Sequence, residues 1–288
     1  VATFTKAALK VERLAGTLGA SVSGLDLAKP LDPDVLAAVR QAFLEHLVLV
    51  FPGQGHITPE QQVAFAAQWG ELQRTPAPSA AGRDDLIELA AGGDEARPVD
   101  PDMHETAKLA RFDVWHADQT FEERPPLGTM LLARRLPSAG GDTMFANQYL
   151  AFEALAAPIR DMLMQLRALH SGEGMYRRLG LDPDKAPRNV HPVVRTHPET
   201  GRRCLFVNRI WTRRIEGVSD EESKVLLEFL YEHSARPEFT FRHRWSEGDL
   251  LLWDNRSTLH YAIRDYGAEF RTMHRATIIG DKPVLRQH

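Results

Sequence analysis

The chain has 288 residues, enough for one large domain or two small ones, and 43% hydrophobic against 26% charged residues gives it ample material for a globular core. Thirty-five basic and 39 acidic residues are mixed along the sequence to a formal net charge of −4, which argues against nucleic acid or an anionic membrane as a partner, because both need clustered positive charge. With one cysteine, Cys204, neither an internal disulfide nor a cysteine-built zinc or iron–sulfur site can form, and Cys204 reads as a small buried hydrophobe.

The first residues, "VATFTKAALKVERLAG", lack the apolar stretch of a secretion signal, and no apolar run approaches the length of a membrane span. A reducing cytoplasm is therefore the expected location. "PLDPDVLAAVRQAFLEH" places apolar residues at helical spacing behind acidic residues, which favour a helix N-terminus, and it runs into the strand-like "LVLVF" (47–51), closed by "PGQG". Thr58 and Gln61 form a capping-box pattern with Pro59 at the first helical position. Residues 92–110 are polar and rich in Gly and Pro, and read as a long loop of the kind that forms lids.

Next comes "DVWHADQTF" (113–121), which reads as a strand. Residues two apart on a strand point the same way, so His116 and Asp118 share a face and can offer two ligands to one divalent ion. Alone, H-x-D is short and common, and a surface histidine beside a solvated aspartate is the plainer explanation. Residues 171–190 form a second expected loop; Ser219 and Glu222 then cap "SDEESKVLLEFLYEHS", the clearest helix. The arginine cluster at Arg209, Arg213 and Arg214 is too small to make a nucleic-acid surface.

The last third is strand-rich. "FTFRHRW" (239–245), "DLLLWDN" (249–255) and "FRTMHRATIIG" (270–280), with a turn around Gly267, point to an antiparallel sandwich or barrel with helices packed outside. No repeat or Pro/Gly linker divides the chain, so residues 1–288 are expected to form a single domain. His260 follows one of these strands. Arg271 and Arg275, four apart on the returning strand, lie on one face with backbones roughly 13–14 Å apart. Two same-face arginines near a candidate metal suit two separate anions held beside it. His170, His191, His197 and His274 have no defensible partner pattern, and His274 points away from the two arginines.

His116, Asp118 and His260 together would bind one face of an octahedral ion and leave three positions open, as in non-haem Fe(II) oxygenases. A zinc hydrolase can use the same ligand types but typically presents H-E-x-x-H on a helix, which is absent here. A non-catalytic binding protein would not need all of these groups. "WHADQTFEERPPLGTMLLARRLPSAGGDTMFAN", "HPVVRTHPETGRRCLFVN" and "WDNRSTLHYA…FRTMHRATIIGDKP" resemble the taurine dioxygenase and aryloxyalkanoate dioxygenase family, and the resemblance extends from about "GTLGASVSGLDL" (16–27) to the C-terminus.

That resemblance implies an α+β fold, a double-stranded β-helix (jelly roll) core with flanking helices. It makes His116, Asp118 and His260 the iron ligands, with Fe(II), 2-oxoglutarate and O2 as cofactor and co-substrates. Arg271 would pair with the distal carboxylate of 2-oxoglutarate, Thr143 would add a hydroxyl, and Arg275 would hold the acidic group of the primary substrate. The implied reaction hydroxylates a substrate C–H while 2-oxoglutarate is converted to succinate and CO2; the presence of Asp118, which related halogenases lack, fits hydroxylation. A homo-oligomer, dimer or tetramer, is also implied.

Against the taurine enzyme, "RTPAPSA" (74–80) offers no His or Tyr, and Phe112 stands where an amide would help seat the zwitterion. Trp211 falls where the family has an aromatic wall, although core packing explains it equally well. These departures favour an anionic substrate with an apolar body (an alkyl or aryl sulfonate, a sulfate ester or an aryloxyalkanoate) over taurine itself. Hydroxylation beside the heteroatom would give an adduct that breaks down.

Overall fold

The computed structural model describes residues 9–74, 82–92 and 114–286. Its strands, in chain order, are β1 (Lys10–Arg13), β2 (Ala20–Ser23), β3 (Val48–Phe51), β4 (Ile87–Ala91), β5 (Pro126–Arg135), β6 (Thr143–Asn147), β7 (Arg167–Ser171) and β8 (Arg188–Pro192). After these come β9 (Val194–Thr196), β10 (Arg203–Leu205), β11 (Thr212–Ile215), β12 (Thr240–His243), β13 (Leu250–Asp254), β14 (Thr258–Ala262) and β15 (Arg271–Ile279). The helices are α1 (Pro33–His46), α2 (Pro59–Ala67), α3 (Gln148–Glu153), α4 (Ala157–Leu163), α5 (Glu173–Arg178) and α6 (Asp220–Ser234).

A large sheet has the order β1-β2-β3-β13-β5-β15-β4, antiparallel except for the parallel β2–β3 pair, and a smaller sheet has the order β12-β6-β14. A third sheet, β11-β7-β8, and the hairpin β9–β10 lie beyond them. The architecture is thus mixed sheets with flanking helices.

The large sheet is covered on both faces, which explains why its central strands are continuously apolar instead of alternating. On one face Leu49, Phe51, Leu250, Leu252, Met130 and Leu132 pack with Val39 and Phe43 of α1 and Phe65 of α2. On the other, Val48, Val50, Leu251, Trp253, Leu131 and Met273 meet Phe145 of the small sheet. Fully burying a side chain of this size contributes about 1.5–3 kcal/mol, so this layered core is the main stabilising feature. Thr58 and Ser219 both complete their capping boxes.

Three expectations need correction. Residues 113–121 do not form a strand: among the described ones, His116 makes a single antiparallel bridge with His260, and the chain then turns through Gln119, whose φ is +42°. The expected loop at 171–190 contains α5 and a 3-10 turn at Pro183–Lys185. Helix α5 buries none of its side chains and is supported instead by Glu173 at its start and Arg177 and Arg178 at its end, so no apolar period marks it. The strand expected over 239–245 is shorter, with Phe239 in a 3-10 turn and Trp245 beyond the last paired residue. Most of the expected loop at 92–110 lies outside the described residues, as does Phe112.

Candidate metal and anion site

The site lies where the inner faces of the two main sheets meet the turn at 116–121. His116 and His260 exchange both backbone hydrogen bonds, His116 N–H donating to the carbonyl of His260 (3.0 Å) and His260 N–H to that of His116 (2.7 Å). This pairing sets their imidazoles side by side, with ring centroids 4.2 Å apart and planes tilted by 46°. Asp118, two residues on, brings its Oδ1 to 4.0 Å from His116 Nε2 and 3.8 Å from His260 Nε2. The three side chains are buried, and one potential ligand atom from each lies within 4.8 Å of the others. The expected convergence of His116 and Asp118 is therefore present, although a bridge and turn produce it.

The protonation states suit a dication. A carbonyl can only accept, so the 2.9 Å contact between His116 Nδ1 and the Val114 carbonyl places the proton on Nδ1 and leaves the Nε2 lone pair free. Burial lowers the pKa of both imidazoles, that of His260 to about 3, so both are neutral near pH 7. For Asp118, burial favours the acid form, but the Arg275 guanidinium and the two neighbouring imidazoles outweigh it and hold the carboxyl far below its usual range. Two neutral imidazoles and one carboxylate are the donors that a single non-haem iron takes.

Arg271 and Arg275 extend from one face of β15. Arg275 Nη2 lies 3.0 Å from Asp118 Oδ1, and its Nε donates to Thr277 Oγ1 (3.2 Å). The Arg271 guanidinium sits 5.6 Å above the Trp245 ring, and its buried Nε has no hydrogen-bond partner. Burial lowers the Arg271 pKa to about 10, the direction expected of a cation short of counter-charge. Gly141 approaches this side chain so closely that a Cβ there would lie 3.3 Å from Arg271 Cδ, and its φ of +73° also favours glycine. An underneutralised guanidinium in an aromatic cradle fits a carboxylate ligand.

Thr143 is buried beside this cradle at the start of β6, where its Oγ1 accepts from Trp245 Nε1 (3.0 Å). Trp211 is buried behind the metal turn: it packs edge-on against Phe121 with centroids 4.8 Å apart and donates from Nε1 to the Ala117 carbonyl (2.9 Å). His274 leaves the other face of β15, its Nδ1 accepting from Arg134 Nε (3.1 Å).

Several supporting residues were not singled out from the sequence. Trp245 links Thr143 to Arg271. Thr129 and Asn255 bond to Asp118. Asn208 donates to Thr120 Oγ1, which also meets His170 Nδ1 at 2.8 Å, bracing the turn from the third sheet. The tryptophan and asparagine of "WDN" fall within the strand-like run read over 249–255, but nothing local in that tripeptide indicates a contact with residue 118.

Two imidazoles and one carboxylate, placed between stacked sheets beside two arginines, are the donor set and setting of a mononuclear non-haem iron oxygenase. The comparisons with known proteins agree. The chain belongs to the taurine catabolism dioxygenase TauD, TfdA family, which matches residues 10–277. It is 36% identical over 287 residues to an alkylsulfatase of Acinetobacter baylyi, spanning 95% of this chain and 86% of that protein. An alpha-ketoglutarate-dependent sulfate ester dioxygenase of Pseudomonas putida is 36% identical over 290 residues, 96% of this chain and 91% of that protein. The crystal structure of AAD-2 in complex with Mn(II) and N-oxalylglycine superposes with a TM-score of 0.80 at 33% identity, covering 97% of this chain and 99% of that one.

Proposed function

We propose that the chain is a single-domain Fe(II)- and 2-oxoglutarate-dependent dioxygenase that hydroxylates a small organic acid, with a sulfate ester as the leading substrate class. The observation that carries this reading is the arrangement of five side chains: His116, Asp118 and His260 converge to within 4.8 Å, and Arg271 and Arg275 extend from one strand face beside them. In this reading the core is a double-stranded β-helix, its two layers being the large sheet and β12-β6-β14. The chemistry of the AAD-2 ligands supports it, because N-oxalylglycine differs from 2-oxoglutarate only by an NH in place of a CH2.

Each residue then has a defined task. His116, Asp118 and His260 hold the ferrous ion by neutral or anionic donors, leaving three positions for co-substrate and O2. Arg271 pairs with the distal carboxylate of 2-oxoglutarate while Thr143 and Trp245 shape its berth. Arg275 holds the substrate anion, which directs the adjacent C–H towards the metal. Trp211 holds the Ala117 carbonyl and so the turn that carries Asp118. Phe112, outside the described residues, is assigned to the substrate pocket from its place in the sequence alone.

When bound, the metal activates O2 at the expense of 2-oxoglutarate, giving succinate and CO2 and placing one oxygen atom in each of the two organic products. For a sulfate ester R–CH2–OSO3−, hydroxylation gives R–CH(OH)–OSO3−, which expels sulfate and collapses to the aldehyde R–CHO. The sulfate ester is favoured over sulfonates and aryloxyalkanoates by the two relatives named for sulfate-ester chemistry. A homo-oligomer, dimer or tetramer, which rests on family membership, and a cytoplasmic setting, which suits a chain with one cysteine, complete this reading; no helix among the described residues is long and apolar enough to cross a membrane.

The decisive experiment adds Fe(II) and 2-oxoglutarate without oxygen, then admits oxygen with a panel of alkyl sulfates, sulfonates, aryloxyalkanoates and taurine. A visible charge-transfer band and sulfate-ester-dependent succinate release are expected. No band would overturn the reaction class; activity on taurine alone would overturn the substrate class.

A further inference from the structure

Asp118 has two oxygens with different surroundings, and a closed set of hydrogen bonds explains the difference. Asp118 N–H donates to Asn255 Oδ1 (3.2 Å), Asn255 Nδ2 donates to Thr129 Oγ1 (2.8 Å), and Thr129 Oγ1 donates to Asp118 Oδ2 (2.7 Å). The direction of these bonds is forced. Asn255 Oδ1 also accepts from Trp253 Nε1 (3.1 Å), which fixes the amide with its oxygen towards two donors and its NH2 towards Thr129. A hydroxyl has one proton; since the amide NH2 can only donate, the Thr129 proton has to go to the carboxylate. Oδ2 is thereby committed to Thr129, and Oδ1 is the oxygen that approaches His116 Nε2, His260 Nε2 and Arg275 Nη2.

The ring is held rigidly. Thr129 is fully buried and Asn255 is 2% exposed. Thr129 sits centrally in β5, opposite Trp253 on one side and Thr277 on the other. Its neighbour Gly128 lies so close to β13 that a Cβ would come within 2.8 Å of the Trp253 carbonyl. Asn255 is fixed between Asp254, which accepts two hydrogen bonds from the Arg256 guanidinium, and Arg256, only 2% exposed.

We infer that Thr129 and Asn255 are positioning residues that commit one oxygen of Asp118 to the protein and present the other, singly, to the metal. The inference rests on the metal site proposed above. Its function would be to keep the carboxylate from taking a second coordination position, which 2-oxoglutarate and O2 need.

The test compares Mn(II) affinity, measured by titration with Mn(II) alone, and the Fe(II)–2-oxoglutarate charge-transfer band in Thr129→Val, Thr129→Ser, Asn255→Asp and the parent. Thr129→Val, matched in shape without the hydroxyl, should weaken Mn(II) binding about 10–100-fold, the usual effect of losing a group that orients a ligand, and shift or bleach the band. Thr129→Ser should restore both. Asn255→Asp should also weaken Mn(II) binding, because it draws the Thr129 proton away from Asp118. Far-UV circular dichroism checks that each variant folds. Parent-like binding and band in Thr129→Val or Asn255→Asp overturns the inference, as does a Thr129→Ser that falls as far as Thr129→Val. If the parent binds Mn(II) but shows no band, the proposed reaction fails, while the Mn(II) comparison still decides the positioning roles.

Discussion

Arg271 and Arg275 are the same residue type on the same strand face, yet their surroundings differ. Arg275 already touches an anion, Asp118 Oδ1, at 3.0 Å, whereas Arg271 has an aromatic floor and an unpaired buried Nε. The two should therefore fail differently. Arg271→Gln should raise KM for 2-oxoglutarate about 10–100-fold, the scale of a lost hydrogen bond to a charged group of 1.5–3 kcal/mol, with little change for the primary substrate. Arg275→Gln should raise KM for the organic acid instead. Initial-rate measurements of succinate release with each substrate varied in turn separate the two, and an identical pattern in both variants would refute the division of labour.

At the scale of elements, β13 is the member on which both layers depend. Leu252 is fully buried and pairs with Leu49 on one side and Met130 on the other, so Leu252→Ala should cost about 2–5 kcal/mol in urea unfolding. Val225, 70% exposed on α6, provides the contrast: its replacement by alanine should stay within about 0.5 kcal/mol. A comparable loss at both positions would contradict the layered core. Elements such as β3, β13 and α6 were legible in the sequence because an apolar run or a capping box marks each locally. The H-x-D stretch was misread as a strand because its geometry comes from a distant partner, His260, which no local pattern encodes. Helix α5 escaped notice for the opposite reason, having no buried face. The convergence of His116, Asp118 and His260 and the shared face of both arginines were legible through residue type and spacing, whereas the contacts of Thr129, Asn255 and Trp245 were not, since a lone threonine or tryptophan carries no sign of the side chain it will meet.

For the molecule as a whole, buried histidines govern the response to mild acid, and without a bound ion His116 and His260 act with those elsewhere. Burial lowers the pKa of His170 well below its ordinary value and that of His191 to about 4. Above pH 6.5 both are neutral, folded or unfolded, and contribute no pH dependence. Between pH 6.5 and about 4 the unfolded chain binds protons that the native state refuses, so stability should fall by up to about 1.4 kcal/mol per pH unit for each histidine. Carboxylates such as Asp26, lowered to about 2 chiefly by its bond to His56, lose their contribution only below about 3.8. Urea unfolding of the metal-free protein at pH 7.5, 6 and 5 should show the decline, and His191→Gln should make it shallower by one histidine's share. A constant free energy over that range would rule the account out.

The backbone exchange between His116 and His260 has a consequence for how the protein acquires its metal. Two proposed donors from remote parts of the polypeptide are joined by peptide groups, so the entropy of assembling the cage would be met by the sheets themselves and not by coordination. Loading with ferrous ion is then expected to be a late, reversible event on a finished scaffold. Stripping it with a chelator should leave the far-UV spectrum unchanged and restore full occupancy on adding iron back, and a loss of sheet signal on chelation would show that the ion builds the fold it occupies.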